Sequence, residues 1–128
     1  MTVRNRVLLI GFDPHAVPGV DAAVVDMAIA MGEEQLRTAG FETTYCLVAP
    51  DGEAEARMTD ALAGQEWDCV VIGGGIRKAP EYLELFERVV NLSRVHAPTA
   101  AIAFNSTGAD SLDAVRRWLP APAGDGAR

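Results

Sequence analysis

Two stretches of the chain, Val7-Leu8-Leu9-Ile10 and Cys69-Val70-Val71-Ile72, are apolar at every position and rich in branched side chains. A strand with one wet face alternates apolar and polar residues, so unbroken runs of this kind belong to strands covered on both faces, as in a parallel sheet. Two further runs, Thr43 to Val48 and Thr99 to Phe104, are more mixed and suit the edges of the same sheet. Helical patterns separate the four runs. A first helix is expected from Asp21 to Thr38, with Val25, Ile29, Gly32 and Leu36 on one stripe and Gly40 closing it. A second is expected from Glu53 to Ala63, behind Asp51 as a cap. A third starts at Pro80, with Leu83, Phe86 and Val90 inward and Glu84 paired to Arg88, and a last runs from Ser111 to Leu119. Trp67 and Trp118 are expected to pack at the sheet margin.

The repeating unit is therefore strand then helix. Parallel strands joined in this way predict an α/β fold, a three-layer α/β/α sandwich around a four-stranded parallel sheet of order 2-1-3-4. In this order of elements, from Val7 to Leu119, the chain resembles the flavodoxin-like, or Rossmannoid, class of small domains. The resemblance implies a fold and names no activity, because many unrelated functions share it. One domain is expected over residues 1–119, followed by a frayed tail over 120–128 that has nothing to bury.

Composition narrows the partners. The net charge is −7, arginines are scattered, and Lys78 is the only lysine, which speaks against a nucleic-acid surface. No apolar run approaches the ~20 residues that span a bilayer, and no signal peptide is legible, so a cytoplasmic protein without a membrane partner is expected. Cys46 and Cys69 lie within strand-like runs and read as small buried hydrophobes rather than as a disulfide or metal pair. A sheet with two open edges and a modest core commonly gains from a second copy, which makes a homodimer an expected assembly.

Ligands of open α/β sheets bind beyond the carboxyl ends of the strands, where the strand order reverses. Here that point lies between the first and third strands. Three segments should face it: Gly11-Phe12-Asp13-Pro14-His15, Gly73-Gly74-Gly75-Ile76-Arg77-Lys78, and Asn105-Ser106-Thr107-Gly108. Gly73, Gly74 and Gly75 allow backbone amides to approach a ligand, with Arg77 as a bidentate grip on a carboxylate or phosphate and Lys78 as a point charge. The same residues also suit a tight strand-to-helix turn with solvated cations. Asp13 and His15 could orient and shuttle a proton, or simply form a turn around Pro14. Asn105 and Ser106 could orient a ligand or cap a helix, while Gly11 and Phe12 would make a wall of the crevice.

Two function classes are consistent with these residues, the first the expected one and the second its alternative. One is a small cofactor-independent enzyme of lyase, isomerase or hydrolase type acting on an anionic small metabolite, with Asp13, His15 and Asn105 as its catalytic groups. The other is a non-catalytic nucleotide or acyl-group binding module. No cofactor and no metal are expected. Asp13-Pro14-His15-Ala16-Val17-Pro18-Gly19 is similar to the Asp-x-His-x-x-Gly motif of cobalamin-binding domains, but Pro18 stands where that motif has its glycine. Receiver domains share the order of elements, yet Gly73 occupies the place of their acceptor aspartate.

Overall fold

A computed structural model describes residues 4–120 and has the expected architecture. Four strands, β1 (Arg6–Phe12), β2 (Glu42–Val48), β3 (Cys69–Ile72) and β4 (Ala101–Phe104), form one parallel sheet of order β2-β1-β3-β4. The helices are α1 (Ala22–Thr38), α2 (Ala54–Ala63), α3 (Gly74–Lys78), α4 (Leu83–His96) and α5 (Ser111–Arg116). Of the tail expected over 120–128, all but Pro120 lies outside the described residues.

The unbroken apolar runs are explained by two cores, one on each face of the sheet. Successive residues of a strand point to opposite faces. Leu8, Ile10, Val70 and Ile72 pack with Met58 and Leu62 of α2 and Val89 of α4. Val7, Leu9, Cys69 and Val71 pack with Leu36 of α1 and with Ala114 and Val115 of α5. The central strands β1 and β3 therefore have no wet face, and the polar residues Glu42, Thr43 and Thr44 fall on the edge strand β2. Cys46 and Cys69 carry free thiols and pack into opposite cores, and burial pushes the Cys69 thiol up to about 12.

Local signals set the helix ends. Asp21 caps α1 by accepting from the Val24 amide, and Gly40, at φ 96°, turns the chain out of that helix into β2. Asp51 accepts from the Glu53 amide just ahead of α2. Pro80 opens a 3-10 turn, Pro80–Tyr82, that leads directly into α4.

Four expectations need correction. Leu83 is 66% exposed, because the inward stripe of α4 runs through Leu85, Phe86, Val89 and Ser93 and leaves the first helical residue facing water. Trp118 is 59% exposed, since the chain leaves α5 at Arg116 and it is Leu119 that turns into the core. Arg88 pairs across to Glu55 of α2 at 3.5 Å rather than along its own helix to Glu84. Helical backbone after β3 begins at Gly74, as the short helix α3, ahead of the helix expected from Pro80.

Candidate functional site

A cavity of about 610 Å³ opens at the carboxyl end of the sheet, beside the point where the strand order reverses. That volume is in the range of small-molecule sites, roughly 300–1,000 Å³. Its floor is Leu9 and Gly11 of β1 and Leu47 of β2. The connection between β1 and α1 contributes Pro14, Val17, Pro18 and Val20, and α1 adds Val24, Val25, Ala28 and Ile29. Opposite them stand Gly73, Gly74 and Gly75, the turn residues Ala79, Glu81 and Tyr82, and the segment Asn105 to Gly108.

The cavity brings together Gly11, Phe12, Gly73, Gly74, Gly75, Asn105 and Ser106, seven of the expected site residues. Asp13, His15, Arg77 and Lys78 do not line it. Each of the four has a hydrogen-bond partner. The Asp13 carboxylate accepts from the His15 amide at 2.9 Å and caps a 3-10 turn over Pro14–Ala16. The His15 ring meets Asp26 of α1, Nε2 to Oδ2 at 2.7 Å, on the outer surface. Arg77 donates from its guanidinium to the Asn105 carbonyl at 2.8 Å, with its charge 5.9 Å from the centre of the Phe104 ring. Lys78 donates to the Ser106 carbonyl at 2.9 Å.

These contacts make a clasp. The turn after β4 is gripped from the α3 side by Arg77, Lys78 and a third bond, in which the Gly74 amide donates to Asn105 Oδ1 at 3.0 Å. Gly73, at the cap position of α3, has no side chain to offer, so Asn105 supplies the missing cap from across the sheet. Asn105 is 3% exposed and its remaining polar atom, Nδ2, donates to Ser111 Oγ at 3.0 Å. Its side chain is thereby spent on structure. Asp110 completes the turn by accepting the Ser106 and Thr107 amides at 2.9 and 3.1 Å. Partial burial would raise its carboxyl, but those amide bonds win and hold it below the usual range.

The glycines serve the same close packing. A Cβ on Gly74 would stand 2.6 Å from the Ser106 carbonyl oxygen, and one on Gly32 of α1 would stand 1.9 Å from that of Gly108. The β4 turn is wedged between two helices at distances that only a residue without a side chain permits. The close partner of Gly32 is this turn.

What remains on the cavity wall is mostly apolar. Its ionisable side chains are Glu81 and Tyr82. Ser106 and Thr107 add hydroxyls, although Thr107 Oγ1 already accepts from the Ala109 amide at 3.1 Å. Among the described residues no group of three or more His, Cys, Asp or Glu side chains is placed to hold a metal ion. None of the described helices is long and apolar enough to cross a membrane. Sequence reasoning missed the contribution of Val17, Pro18, Val20 and Val24, and the signal was present: an apolar connection flanked by prolines where a solvated loop would be polar.

The hydrogen bond that the His15 ring donates to the Asp26 carboxylate, and then the Asp26 charge, raise the His15 pKa above its ordinary 6.5. A raised histidine contributes most below its unfolded value, and the contribution fades as pH rises through the folded value. Asp26→Asn is therefore expected to bring the His15 titration down toward 6.5, read by NMR of the ring protons. An unchanged midpoint would remove the pairing.

Compared with known proteins, the chain matches no family model and no curated protein.

Proposed function

We propose that the protein is a non-catalytic binding module for a small molecule with an apolar body, of acyl-chain type, held in the cavity between α1 and the turns after β3 and β4. One observation carries this reading: the cavity wall is built from Val17, Pro18, Val20, Val24, Val25, Ala28, Ile29 and Leu47, while both nearby cations bond to backbone carbonyls. Nucleotide phosphates call for convergent cations or a row of open amides. Here the Gly74 amide is taken by Asn105 and the cations lie off the lining. An apolar body gains instead from leaving water, at about 25 cal/mol per Å² of surface buried. A proton-transfer enzyme is less well served, because Asp13 and His15 both lie off the lining.

Titration calorimetry with 1-octanol and with AMP tests the reading. Binding of 1-octanol without AMP is expected, together with a loss of at least about tenfold in octanol affinity in Ala28→Phe, which fills the cavity from α1. AMP binding tighter than octanol, or an Ala28→Phe variant that binds octanol as well as the parent, would contradict it.

A further inference from the structure

The charges around the cavity are unevenly used. Asp13, His15, Asp26, Arg77 and Lys78 lie off the lining and each has a hydrogen-bond partner, and among the described residues Glu81 is the one charged residue on it. Among the described residues Glu81 makes no ion pair and no side-chain hydrogen bond. Its neighbour Tyr82 also lines the cavity, and the Tyr82 ring meets that of Phe12 with centroids 4.7 Å apart and planes at 64°. An edge-to-face pair turns the two ring faces in different directions, and an aromatic face carries the negative lobe of its quadrupole.

We infer that the ligand is cationic at its polar end: a protonated amine carried on an aliphatic or aromatic body. This rests on the reading of the cavity as a site for an apolar ligand and adds the charge of its head. Glu81 is exposed and neighbours Tyr82 on the cavity lining, so an ammonium head placed at this side of the cavity is attracted by both Coulomb and cation–π terms. A carboxylate or phosphate head would meet Glu81 as a like charge. The protein's net charge of −7 acts in the same direction at longer range, drawing cations toward the surface.

The test keeps the body fixed and changes the head. Octylamine, 1-octanol and octanoate are titrated into the full chain at neutral pH and low salt. Octylamine is expected to bind at least about tenfold tighter than octanoate, and Glu81→Gln is expected to bring that ratio close to unity. Octanol reports the body alone. If octanol binds but octanoate equals or exceeds octylamine, or if Glu81→Gln keeps the preference, the amine assignment is overturned. If none of the three binds, the apolar site itself is overturned, and the amine with it.

Discussion

Gly32→Ala is expected to destabilise the protein by about 2 kcal/mol or more, even though alanine is the better helix former. The helical preference alone would favour alanine by about 1 kcal/mol. Against it stands a Cβ placed 1.9 Å from the Gly108 carbonyl oxygen and 3.0 Å from its carbon, both backbone atoms that no rotamer change can remove. The turn cannot retreat, because Arg77, Lys78 and the Gly74 amide hold its other side. α1 must therefore move outward, and forced insertion into a packed interface costs roughly 1–3 kcal/mol, with more where the neighbour is rigid. Gly108→Ala should behave alike, since its Cβ would lie 2.9 Å from the Ile29 nitrogen. Urea unfolding reads the effect as a lower midpoint at unchanged slope. A Gly32→Ala variant as stable as the parent would mean that α1 and the β4 turn are not in this contact.

Asn105→Ala is expected to cost about 2–4 kcal/mol, because it removes two buried hydrogen bonds at once and leaves the Gly74 amide without an acceptor. The Gly74 amide loses its acceptor at the start of α3, and Ser111 Oγ loses the donor from Nδ2. The side chain removed is 3% exposed, so a small void is left as well. The Ser111 hydroxyl keeps its own bond to the Gly108 carbonyl, so the turn should loosen at its α3 side first. Hydrogen exchange distinguishes this from general destabilisation: the Gly74 amide should exchange faster relative to β3 amides such as Val71. Equal acceleration across the whole domain would count against the capping role.

The fold was legible from the sequence because its signals are local and redundant. Unbroken apolar runs at Val7 to Ile10 and Cys69 to Ile72 can be satisfied only by cover on both faces, and the alternation with helical stripes leaves few ways to arrange four strands. The position of the cavity followed from the same reasoning, since a doubly wound sheet opens where its order reverses. The chemistry of the cavity was not legible in the same way. Three glycines followed by Arg77 and Lys78 have the look of an anion cradle, and nothing within that segment tells ligand approach from backbone approach. The decision is made 28 residues further on, where the carbonyls of Asn105 and Ser106 receive both cations. Gly74 is small because the Ser106 carbonyl is close, and Gly32 is small because the Gly108 carbonyl is close, which are contacts between segments distant in sequence. Leu83 misled for the opposite reason: the helical period was right, but the stripe that reaches the core passes through Leu85 and Val89. A residue pattern fixes which faces of a helix differ more readily than which one a neighbour will cover.

The clasp and the cavity are linked in space. Ala28 and Ile29 line the cavity and lie against Gly108, so the distance between α1 and the β4 turn sets the width of the site. A rigid turn on one side and a packed helix on the other make a largely preformed pocket, which lowers the ordering cost of binding. On this account Gly32→Ala would weaken the binding of an apolar ligand as well as the fold.

The measurement that tests the account most directly is a titration of 15N-labelled protein with 1-octanol, followed by amide shifts. Saturable changes are expected at Val24, Val25, Ala28 and Ile29 of α1 and at Gly73, Gly75, Thr107 and Gly108, the residues that surround the cavity. Shifts confined to Arg77, Lys78 and α4, or no saturable shift at all, would contradict it.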